Sequence, residues 1–192
     1  MPSFLLGAIA SGISGHLSFT PTGSFESIAT TTVGSGGTSS IDFTSIPSTY
    51  QHLQLRIISR VSNADTGDNI FLQFNGDTSS NYSWHYMEGD GSTAYASGAS
   101  SQTKILHGRA SAANASSSNF GASVIDILDY SISGQKYKTT KCICGLDRNA
   151  SGNVRIDSGV WQNTNAITSI KILNGSSTNF VQYTQASLYG VK

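Results

Sequence analysis

The chain has 192 residues, 38% of them hydrophobic, and its eleven basic and eleven acidic side chains leave a formal charge of zero. That length suits one domain, or one domain with an arm, and buries roughly 70% of the unfolded surface, so no stapling is required. No Lys/Arg cluster, polybasic segment or acidic tail occurs, which argues against a nucleic-acid partner, because phosphate binding draws on concentrated positive charge.

The first fifteen residues, MPSFLLGAIASGISG, carry an apolar stretch from Phe4 to Ala10. A secretory h-region with cleavage near Ala10-Ser11-Gly12 would need a basic segment before it, and no Lys or Arg precedes Arg56. The stretch is too short to span a bilayer, so no membrane association is expected. The expectation is an arm that docks on a partner subunit through Phe4, Leu5, Leu6 and Ile9, followed by a Gly/Ser/Thr/Pro linker from 11 to 24.

From about residue 25 onward, short period-two runs alternate with Gly/Asn/Asp/Ser punctuation. Expected strands are Phe25–Val33, Ile41–Phe43, Leu53–Val61 and Ile70–Phe74. Asn75-Gly76-Asp77 is the strongest hairpin signal, with Tyr82–Met87 expected as the partner strand. Residues 89–102, rich in Gly, Ser and Ala without periodicity, read as a long loop. A short strand Thr103–His107 then precedes an Ala/Ser-rich loop from Arg109 to Asn119. Phe120–Leu128, Tyr137–Leu146, Val154–Trp161, Ile167–Leu173 and Phe180–Val191 complete the set.

Eight to ten antiparallel strands with long crossing loops predict an all-β sandwich of jelly-roll type over 24–192, behind an arm and linker over 1–23. An immunoglobulin-type sandwich would call for a Cys…Trp…Cys spacing that this chain lacks. The expected core comprises Leu53, Leu55, Ile57, Leu72, Phe74, Val124, Ile170, Ile172 and Leu188.

Signals for chemistry are weak. Cys142 and Cys144, at i and i+2 of a strand, share a face at ~7 Å, too far for a relaxed disulfide, and read as small core residues. No G-x-S-x-G occurs, and His16, His52, His85 and His107 each stand alone in sequence, so neither a nucleophile, a metal-ligand set nor a cofactor is expected. Asp126 and Asp129 are the most interesting acids for a glycosidase pair, although an outward aspartate between apolar neighbours is the commoner case. Asp65, Asp68, Asp77 and Asp90 could share a calcium ion at one end of a sandwich, or serve their own turns. Tyr82, Trp84, Tyr86 and Tyr95 form a candidate sugar-stacking platform, against which stands a core role for Trp84 and Trp161 with their N–H groups bonded.

Several stretches taken together carry a resemblance: TSIPSTY leading into HLQLRI, then FLQFNGD…NYSWHYMEGDG, VIDILDY…KYKTTK, SGVWQNTNAITSIKIL and FVQYTQASLYGVK. The chain resembles a family of small virion structural proteins of tailed phages that infect cyanobacteria and other aquatic bacteria. That resemblance spans nearly all of 24–192. It implies a jelly-roll module of the particle, as tail or neck fibre, baseplate part or capsid decoration, and brings no catalytic residues. The expected location is the virion and the expected partners are other virion proteins, with a homo-oligomer, a trimer foremost, suggested by low surface charge. A carbohydrate-binding module that recognises a host surface glycan is the reading from a different class.

Overall fold

The computed structural model describes residues 24–149 and 151–192. The proposed arm, with Phe4, Leu5, Leu6 and Ile9, lies outside them. The described residues hold no helix and twelve strands: β1 (Phe25–Thr32), β2 (Ser40–Phe43), β3 (His52–Ser59), β4 (Gly67–Phe74), β5 (Tyr82–Gly89), β6 (Ala94–Gln102), β7 (Ile105–Ser111), β8 (Gly121–Ile127), β9 (Lys138–Asp147), β10 (Gly152–Trp161), β11 (Ile170–Asn174) and β12 (Gln185–Val191). They form two antiparallel sheets. The larger runs β1-β12-β3-β8-β9-β10-β5-β6 and the smaller β2-β11-β4-β7. Successive strands β1 to β4, and then β11 to β12, alternate between the sheets, while the β5–β6 and β9–β10 hairpins widen only the larger one.

Strict alternation produces the sandwich. In β3, Leu53, Leu55 and Ile57 are buried while Arg56 and Ile58 face solvent. From the facing sheet come Ile70, Leu72 and Phe74 of β4 with Ile170 and Ile172 of β11, all sealed from water. Each fully buried aliphatic side chain of this kind stabilises the fold by about 1.5–3 kcal/mol relative to exposure.

Val124 departs from the expected core. It shares the outer face of β8 with Asp126 and is 41% exposed, while Ser123, Ile125 and Ile127 point inward. With a period of two, Val124 cannot be inside while Asp126 is outside.

Two loop expectations also change. Residues 94–102 form β6, an edge strand exposed on both faces and therefore without an apolar period to reveal it. Its turn is built by Asp90, whose carboxylate accepts the N–H groups of Ser92 (2.8 Å) and Thr93 (2.7 Å). Strand β7 runs on to Ser111, so only residues 112–120 loop. There the chain wraps the buried guanidinium of Arg60, which donates to the carbonyls of Ala115 (2.8 Å), Ser116 (2.8 Å) and Asn119 (3.0 Å). That cation, with backbone bonds from Ala113 to Asn63 (3.0 Å) and from Asn114 to Asp65 (2.8 Å), orders a segment that has no apolar face.

The Asn75-Gly76 turn exists, with φ of 53° and 67° and the Asp77 N–H bonded to the Phe74 carbonyl at 2.9 Å. It makes no hairpin. β4 pairs with β11 and β7, whereas β5 pairs with β10 and β6, so the turn carries the chain from the small sheet to the large one. Asp77 fixes the crossing by accepting from Asn81 (2.9 Å) and from the indole N–H of Trp161 (2.7 Å).

Candidate functional site

Across the inner face of the large sheet the chemistry changes from strand to strand. One cross-strand row reads Leu55, Ile125, Cys142, Asp157, Tyr86; the next reads Ile57, Ser123, Cys144, Arg155, Glu88. Each begins apolar on β3 and ends polar on β10 and β5. The cause lies in β10, where Arg155, Asp157, Gly159 and Trp161 occupy inward positions and Val154 and Ile156 face water. Strand β7 crosses over this region and delivers His107.

The resulting centre is closed. The Arg155 and Asp157 side chains are 1% and 0% exposed, and their Nε and Oδ1 atoms approach to 2.6 Å as an ion pair. Asp157 Oδ2 also accepts from the Gly108 N–H at 3.0 Å and from Arg155 Nη2 at 3.2 Å. Arg155 donates further to the Gly108 carbonyl (2.9 Å) and to Asn69 (3.1 Å), with Glu88 at 3.7 Å. Burial works to raise the Asp157 pKa, but the Arg155 guanidinium and the Gly108 amide outweigh it and hold the carboxyl below its ordinary value.

His107 is fully buried, which lowers its pKa and keeps the imidazole neutral. Its Nε2 contacts Thr140 Oγ1 at 2.5 Å. Its Nδ1 stands 3.7 Å from Asp157 Oδ2, beyond hydrogen-bond reach, and has no partner. The Cys142 thiol completes a group in which sulfur, imidazole nitrogen and carboxylate oxygen all lie within 4.8 Å of one another. The neighbouring Cys144 and burial push the Cys142 thiol up, so it holds its proton.

Two glycines make the room. A Cβ on Gly159 would meet Ile105 Cγ2 at 2.6 Å and Thr140 Oγ1 at 2.9 Å. One on Gly108, whose φ is +99°, would lie 2.5 Å from Ser123 Oγ.

A hydroxyl, an imidazole and a carboxylate in series resemble nucleophile machinery. Thr140, His107 and Asp157, however, are each 1% exposed or less. Enclosed in this way, the Thr140 hydroxyl meets no substrate. The centre was not legible from sequence spacing, because its donors come from β7, β9 and β10.

The outer face of the same sheet is the converse. A second continuous row runs Arg56, Val124, Ile143, Ile156, Met87 over five adjacent strands. Ile143, Ile156 and Met87 are all more than half exposed. Beside this row, Ile58 and Val154 flank a floor of Ala122 and Gly145, leaving a shallow, mainly apolar depression of about 560 Å³.

The aromatic platform divides. Tyr82 is fully buried, stacked on Trp161 at 6.3 Å and 16°, with its hydroxyl donating to the Asp77 carbonyl at 2.9 Å; it belongs to the core and not to a sugar platform. Trp84 packs against the core and stacks on Tyr86 at 6.0 Å and 19°, while Arg155 lies over the Tyr86 ring. Tyr95, on β6, is half exposed. Trp161 is a bonded core anchor, as its residue type suggested.

Asp126 faces outward and accepts from Gln54 (2.9 Å), with Lys141 at 3.4 Å. Asp129 pairs with Lys136. Asp65, Asp77 and Asp90 each serve their own turns, Asp68 accepts from the Ser176 N–H, and the structure brings no three of these acids together as a metal-binding group among the described residues. Cys142 and Cys144 are free, buried and on one face.

Comparison with family models, with curated proteins and with solved structures finds no match to this chain.

Proposed function

We propose that this protein is a structural component of a tailed-phage virion, anchored by its N-terminal arm at the tail, neck or baseplate. The observation that carries the reading is the apolar row Val124, Ile143, Ile156, Met87 on the open face of the large sheet. Contiguous exposed aliphatic residues on a sheet face are a marker of protein–protein contact. A neutral chain with few charged side chains also lacks the repulsion that keeps soluble monomers apart. The alternation of successive strands between two sheets supports the jelly-roll reading, and the sequence resemblance supplies the particle.

The test is reconstitution with particles that lack the protein. Deleting residues 1–13, or replacing Ile143 and Ile156 with Asp, should leave a folded chain that no longer incorporates. Normal incorporation of both variants would overturn the reading. Its placement on the capsid shell in an image of the particle would favour a cement protein over a fibre.

The glycan-binding alternative draws on the Trp84–Tyr86 stack beside exposed Tyr95. Binding to a glycan array that survives deletion of the arm and falls at least tenfold in Tyr95→Ala would favour it.

A further inference from the structure

We propose that His107, Cys142 and Asp157 form a structural zinc site that pins β7 to β9 and β10. The proposal is independent of the assembly reading.

Three donors of different elements converge, all buried and within 4.8 Å of one another. Imidazole nitrogen, thiolate sulfur and carboxylate oxygen form a donor set that suits zinc, with bonds of about 2.0–2.3 Å. A tetrahedral ion with such bonds holds its ligand atoms about 3.5 Å apart, so loading draws these donors together by up to about 1.3 Å. The Cys144 thiol, two residues along the same inner face of β9, is a further candidate donor.

The second observation is the unpartnered Nδ1 of His107. If Nε2–H donates to Thr140, the Nδ1 lone pair faces the carboxylate of Asp157 and the sulfur of Cys142. Arg155 already pairs with the carboxylate, so the group left unanswered in this dry interior is the Nδ1 lone pair, and a metal ion shared with the sulfur and the carboxylate would satisfy it. In that tautomer Thr140 Oγ1 accepts from Nε2–H, and the Gly108 amide with Arg155 positions the carboxylate, the supporting contacts that metal ligands ordinarily have.

The charges also close. Zinc and Arg155 bring three positive charges; Asp157, Glu88 and a Cys142 thiolate bring three negative ones. On binding, the Cys142 S–H bond breaks, sulfur keeps the electron pair to bond zinc, and the proton leaves to solvent. No redox step is involved. Because the site is enclosed, loading accompanies folding.

The experiment refolds the full-length chain from chelator-treated denaturant with Zn²⁺, or separately with Co²⁺. The expected result is about one metal per chain after dialysis, and a thiolate-to-cobalt charge-transfer band in the near ultraviolet. The chain has only two cysteines, adjacent at this centre, so that band alone places the metal here even if variants fail to fold. His107→Gln and Cys142→Ala should each lower metal affinity at least tenfold. Refolded wild-type protein that carries no metal, or that carries cobalt without the thiolate band, would overturn the site.

Discussion

Arg155 and Asp157 stand two residues apart on one strand and meet inside the sandwich at 2.6 Å, while Ile156 between them is 53% exposed. A strand has two faces, and here the charged one is the inner one. Breaking a buried pair strands the surviving charge and costs about 3–5 kcal/mol, whereas removing both partners costs less than the sum. Asp157→Ala and Arg155→Met should each lower unfolding free energy by that order in denaturant titrations. The double variant should show a coupling of at least 1 kcal/mol in magnitude; strict additivity would mean the pair contributes nothing as a pair.

Gly159 tests the room made for His107. Its Cβ would press on Ile105 and Thr140, so Gly159→Ala should destabilise by about 1–3 kcal/mol through overpacking. Gly89, with nothing within 4 Å, is the control, and Gly89→Ala should cost far less. Equal midpoints for the two variants would contradict the packing described.

Neighbours Ile57 and Ile58 test the faces of β3. Ile57 is 1% exposed and Ile58 52%. Ile57→Ala should cost about 2–5 kcal/mol through lost burial and the cavity left behind. Ile58→Ser should stay within about 0.5 kcal/mol, and thermal unfolding of both variants checks the order.

Alkaline stability should report Tyr82. Burial pushes its phenol up to about 12 from 10.0. A group whose pKa is raised on folding contributes stability that is complete below the unfolded value and lost as pH rises through the folded one. Stability should therefore fall between pH 10 and 12, by on the order of 2 kcal/mol from this residue. Tyr82→Phe should flatten that decline, and phenolate absorbance should show one fewer late-titrating tyrosine.

Period-two alternation was enough to read two-sided strands, a core on Leu53, Leu55, Ile57, Leu72 and Phe74, and the inward Cys142 and Cys144, because backbone geometry alone sends alternate side chains to opposite faces. Even the inward turn of Arg155 and Asp157 was implicit, since they share parity with Trp161, whose bulk argues for the core. Hydrophobicity argued the other way through Val154 and Ile156, just as it placed Val124 inside against the parity of Asp126. Alternation tells which residues share a face and leaves open which face meets the other sheet. Tertiary structure decided that, along with everything that depends on strands distant in sequence. The Asn75-Gly76 turn became a crossing because β10 and β6 captured β5, and His107 met Cys142 and Asp157 only because β7 lies over β9 and β10. Local sequence sets the direction of a side chain; what it touches depends on how the sheets stack.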